Sequence, residues 1–97
     1  MAVKFLHRDE AMYLHIGNHF YLRKQDILGV FDMDNATYSL RTRETLNRAE
    51  KEGRVVNAAL DELPNSFLLV QKDGRTEIYL SMLTAQTLLK RSTEQIY

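Results

Sequence analysis

Ninety-seven residues leave room for one core and not two, and 44% apolar with 27% charged residues is an ordinary globular composition. Lys plus Arg and Asp plus Glu number thirteen each, so no global charge pulls the chain toward nucleic acid or membrane. A DNA-binding role then needs a local basic face or many copies in an assembly. Zero cysteines exclude disulfides, thiolate metal sites and thiol catalysis, and fit a reducing cytosol.

The first ten residues show no apolar segment of a secretory signal. The longest strongly apolar run, Phe67 to Val70, falls far short of the ~20 residues that a membrane-spanning helix needs. The expectation is a cytoplasmic protein with no membrane partner.

In chain order, Met12 to Ile16 and His19 to Arg23 flank Gly17-Asn18 and predict a hairpin with a two-residue type II′ turn. Pairing Ile16 with His19 puts Tyr13, His15, Phe20 and Leu22 on one face. A third strand is expected over Gln25 to Asp32, with Ile27, Gly29 and Phe31 alternating against Leu28 and Val30, and Asp34-Asn35 ending it. A helix follows from Thr42 as N-cap to Glu52, and Gly53 stands where helices stop in the left-handed conformation. Its apolar stripe is thin, Leu46 and Ala49.

Arg54 to Ala58 reads as a short strand, and Leu60 to Asn65 as an acidic loop. The strongest local signal is Ser66–Lys72 and Arg75–Ser81 around Asp73-Gly74, a dipeptide that favours a type I′ turn and pairs Lys72 with Arg75. Phe67, Leu69, Ile78 and Leu80 then share one face, and Leu68, Val70, Glu77 and Tyr79 the other. A last helix starts at Thr84, with Leu83 and Leu88 as a hydrophobic staple and Lys90 and Arg91 suiting its negative end. Ser92 to Tyr97 is expected to fray. The predicted fold is α+β: a small sheet built from two β-hairpins and one or two further strands, with two short helices.

No constellation specifies a chemistry. His15 and His19 flank a tight turn on opposite faces and cannot chelate one ion together. His7-Arg8-Asp9 matches the kinase catalytic-loop tripeptide without the asparagine or the Gly-rich loop. From Asp32 the sequence opens like a calcium loop, but Thr37 and Arg43 occupy the glycine and glutamate positions. The expectation is no enzyme, no cofactor and no metal.

Arg41, Arg43, Arg48, Lys51 and Arg54 set five cations against Glu44, Glu50 and Glu52, and Lys90 with Arg91 forms a second small group. On one subunit the simplest account is a mixed solvated surface. Repeated around a ring, the same pattern becomes a basic track for phosphates. Apolar residues on both hairpin faces also exceed what two short helices comfortably cover. Self-association through Leu68, Val70, Tyr79, Tyr13 and Phe20 is therefore expected, against the simpler account of one helix on each side of a sheet.

The segments Met12 to Gly17, Ile27 to Asp32, Ala49 to Arg54 and Ile78 to Arg91, in that order and spacing, resemble the RemB branch of the RemA/RemB family of bacterial extracellular matrix regulators. The resemblance covers Met12 to Arg91 as a single domain. Residues 1–11 stand upstream as an extension or alternative start, and 92–97 as a tail. The resemblance implies a small cytoplasmic protein of spore-forming or related bacteria that helps control biofilm matrix genes. It further implies a ring-shaped homo-oligomer binding promoter DNA through arginines. At the positions of those arginines this chain carries Leu60-Asp-Glu-Leu-Pro and Asp26, acids that would repel phosphate. The DNA-binding candidates, on charge and position alone, are then Arg41, Arg43, Arg54, Lys90 and Arg91. The alternative is a scaffold that binds a protein partner and no DNA.

Overall fold

A computed structural model of the chain describes residues 13–36 and 39–94. The elements run β1 (Tyr13–Gly17), β2 (Phe20–Arg23), a 3-10 turn (Lys24–Asp26), β3 (Ile27–Asp32), α1 (Met33–Ala36), α2 (Leu40–Lys51), β4 (Val55–Asn57), β5 (Ser66–Lys72), β6 (Arg75–Ser81) and α3 (Ala85–Glu94). This is the expected α+β fold. The described strands form a two-stranded sheet, β1-β2, and a four-stranded sheet in the order β3-β5-β6-β4. All neighbours are antiparallel except β4, which runs parallel to β6.

The second hairpin adopts the register its turn demands. Lys72 opposes Arg75, and Asp73 and Gly74 hold φ at 53° and 76°, the two left-handed residues of a type I′ turn. Because side chains alternate along a strand, Phe67, Leu69, Ile78 and Leu80 face one layer while Leu68, Val70 and Tyr79 face the other.

Two bulges change what simple alternation predicts. In the first hairpin Gly17, not Ile16, closes the ladder: Gly17 opposes Phe20, His15 opposes Tyr21, and Ile16 is bulged between them. The turn therefore falls at Asn18 and His19. The shifted register sets Leu14 opposite Leu22, so that Leu14, Ile16 and Leu22 all turn inward, where a turn at Gly17-Asn18 would have left Leu22 on the other face. The Ile16 carbonyl accepts from the buried Ser81 Oγ at 2.7 Å. Likewise residues 24–26 wind into the 3-10 turn instead of opening β3, and a second bulge leaves Leu28 outside while Ile27 and Val30 both enter the core.

α2 starts three residues earlier than expected, because Ser39 and not Thr42 caps it: Ser39 Oγ accepts from the Thr42 N–H at 3.4 Å. Its end is as expected. The N–H of Gly53 (φ 71°) donates to Glu50 O, and that of Arg54 to Ala49 O, the paired bonds of a Schellman cap. Thr84 Oγ1 caps α3 through the Thr87 N–H at 3.1 Å. α3 continues to Glu94 where fraying from Ser92 was expected, since Ser92 is buried and its carbonyl accepts from Lys24 Nζ at 3.2 Å. Met12, the upstream residues 1–11 and the tail 95–97 lie outside the described residues.

Burial follows from these registers. On one side of the sheet Leu68, Val70, Ile27, Val30 and Ala58 meet Leu14, Ile16 and Leu22 of the first hairpin and Leu88 of α3. On the other side Phe67 and Ile78 meet Ala49 of α2, with Phe31, Leu46, Leu69 and Leu80 half-buried around them. The first hairpin and α3 together bury Leu68 and Val70 on their side and leave Tyr79 half-buried. α2 alone leaves the other side incomplete, as expected of its thin stripe.

Candidate functional site

The two cation groups lie on opposite sides of the sheet, Arg41 to Arg54 with α2 and Lys90 with Arg91 on α3. Within a described chain they do not converge. Arg54 is already committed: it pairs with the Glu52 carboxylate at 2.6 Å and donates to Thr76 O at 3.0 Å. Arg91 is committed as well. Its Nη1 lies 3.2 Å from His15 Nδ1 and donates to the His15 carbonyl at 3.2 Å. His15 Nε2 is 2.7 Å from Asn18 O, which makes Nε2 the protonated nitrogen and Nδ1 the acceptor from Arg91. The His15 ring stacks on Tyr21 at 4.6 Å. This arrangement pins α3 to the first hairpin.

Arg41 and Arg43 differ. Both are exposed in the first turn of α2, where no acid stands and where the positive helix end disfavours cations. The early start of α2 puts Arg41 and Arg48 on one side of the helix, seven residues apart. Arg48 and Lys51, with Glu44 and Asn47, line an open groove of about 420 Å³ along the outward side of α2. Among the described residues, Arg41, Arg43, Arg48 and Lys51 form no ion pair. Sequence reasoning left Arg48 and Lys51 out of the site. Their three-residue spacing with the half-buried Leu46 inward was the available signal.

The acidic loop 58–65 is a built structure. Asn57 Oδ1 accepts from the Ala59 N–H and its Nδ2 donates to Leu60 O. Asn18 Nδ2 donates to Ala58 O, and Asn65 bonds Ser81 O and Met82 O. Leu60 holds a positive φ of 56°. The result is a fixed loop that presents Asp61 and Glu62 between Leu60 (55% exposed) and Leu63 (85% exposed).

The residues expected at a subunit contact divide sharply. Leu68 and Val70 are 0% and 1% exposed beneath the first hairpin and α3, and so face no neighbour. Phe20 and Tyr79 are half-buried against the same core, and only Tyr13 stands open to solvent. The bulge at Ile16 explains this, because it turned the first hairpin's apolar face onto the second. Two titrating groups on this side are perturbed. Burial draws the Lys24 ammonium below its ordinary pKa, and burial, then the neighbouring Glu77 carboxylate, pushes the Tyr79 phenol up.

Among the described residues no group of His, Asp or Glu could hold a metal, and no helix is long and apolar enough to cross a membrane. No curated relative matches the chain. The ordered hairpins, the helix ended by Gly53 and the closing β6–α3 segment all fall inside residues 13–91, matched by the model of the RemA-like family (extracellular matrix regulatory protein A-like), and the chain belongs to that family.

Proposed function

We propose that this chain is a cytoplasmic, non-enzymatic regulator of biofilm matrix gene expression that acts as a cyclic homo-oligomer on double-stranded DNA. The family match over residues 13–91 is the observation that carries the regulatory role. The exposed cations of α2 support the DNA contact. Among the described residues Arg41, Arg43, Arg48 and Lys51 pair with no acid, and two of them occupy a helix position that costs stability. Few cations per subunit suffice if several subunits engage one duplex, because affinity then multiplies across the assembly. Arg54 and Arg91 serve the fold in this reading, and Asp26, Asp61 and Glu62 face away from phosphate.

The second reading is a scaffold for a protein partner. The exposed Leu60 and Leu63 around two carboxylates favour it, since such a loop suits protein contact and not phosphate. Binding to a mixed-sequence duplex across a salt series, with oligomer mass recorded in the same buffers, separates the two. Phosphate contacts make log affinity fall with log salt at about −0.9 per neutralised phosphate. An assembled protein that binds no duplex at low salt ends the DNA reading and leaves the scaffold.

A further inference from the structure

We infer that loop 58–65 of one copy docks into the groove between α2 and the sheet of the next, and that this head-to-tail contact builds the oligomer. The inference rests on the oligomeric reading above and assigns its surface. The groove, of about 250 Å³, opens where α2 covers the sheet incompletely; Phe31, Leu46, Phe67 and Leu69 form its floor, and Arg41 and Thr45 its rim. Its lining is almost wholly apolar apart from that rim, so it takes an aliphatic side chain with an anion beside it.

The acidic loop presents that pair. Leu63 is the most exposed large apolar residue among those described, and Asp61 and Glu62 immediately precede it. Among the described residues Arg41 on the rim makes no ion pair. Knob and hole therefore match in polarity as well as in charge. The loop is held by five hydrogen bonds from Asn18, Asn57 and Asn65 to backbone or from backbone, so docking orders little that is not already ordered.

The two parts do not meet in one chain. The root of the loop, Ala58, belongs to the core beneath the first hairpin, while the groove opens on the α2 side of the sheet, and Leu63 does not line it. Each copy thus offers one knob and one hole at different places. A contact of that kind is heterologous, and it yields a ring where the rotation between successive copies closes and a filament where it does not. In an assembly built this way Arg41 is taken up by the subunit contact, so that of the four cations proposed above for phosphate Arg43, Arg48 and Lys51 remain.

Light scattering on three proteins tests this: wild type, Leu63→Glu (loop disabled) and Thr45→Glu (an anion at the groove rim). Both substitutions are at exposed positions, and circular dichroism checks that each variant is folded. The expected result is an assembly for wild type and the 11.3 kDa monomer for each variant alone. Mixing the two variants should give a pair and nothing larger, because one intact knob and one intact hole remain between them. Wild-type mass retained by folded Leu63→Glu, or no pair on mixing, overturns the contact while leaving oligomerisation standing. A monomeric wild type overturns both.

Discussion

Gly17 holds φ at 118°, and a Cβ there would stand 2.5 Å from Met82 Sδ. Gly53, at φ 71°, has open space around it. An alanine at Gly53 costs about 1 kcal/mol for a left-handed backbone. At Gly17 the backbone is less accessible and Met82 must also move, for about 1–3 kcal/mol. Gly17→Ala should therefore lower the melting temperature more than Gly53→Ala, and equal losses would show that neither φ nor Met82 limits the site. The two shifted groups carry opposite pH signatures. Below its lowered pKa, Lys24 is charged in both states and its burial penalty is complete; as pH rises from there toward 10.5, the unfolded chain holds more protons and stability rises. Tyr79, with its pKa raised above 10.0, is neutral in both states at lower pH, and its contribution is lost as pH climbs through the folded value. Denaturant titrations of Lys24→Met and Tyr79→Phe from neutral pH to 11 should each remove one of these slopes, and an unchanged profile in both would refute the assignments.

On the DNA reading proposed above, α2 sets stability against binding. A glutamate in its first turn should stabilise the helix by about 0.3–1 kcal/mol, whereas arginine there does the reverse. Arg43→Glu is thus expected to raise the melting temperature and to weaken duplex binding with a shallower salt slope. A variant that gains stability and keeps full affinity would remove Arg43 from the interface. The second hairpin and both main helices were legible in sequence because local chemistry decides them: Asp73-Gly74 fixes a register, and Thr84 and Gly53 mark helix ends. The first hairpin was not. A bulge at Ile16 is selected by what lies across the core, Ser81 and Leu88, and no nearby residue announces it. The same holds for β3, where the bulge at Leu28 answers to Val70. Legibility of the site failed in a related way. Arg54 and Arg91 look like free cations in sequence, and only tertiary contacts with Thr76 and His15 show them committed.

Among the described residues, hydrogen bonds between three residue pairs join the beginning of the fold to its end: Ser81 Oγ to Ile16 O, Arg91 to His15, and Lys24 Nζ to Ser92 O, with partners 65, 76 and 68 positions apart. Leu88 sits at 0% exposure at the centre of this closure. Leu88→Ala should cost about 2–5 kcal/mol, and the first hairpin and the sheet should melt together in one transition. Two separated transitions would show that the hairpin is a unit apart. The closure also bears on how the chain is made. The strands that carry Leu14, Ile16 and Leu22 leave the ribosome well before α3, the helix that shelters them. Until Leu88 has emerged, every nascent chain displays an uncovered apolar hairpin.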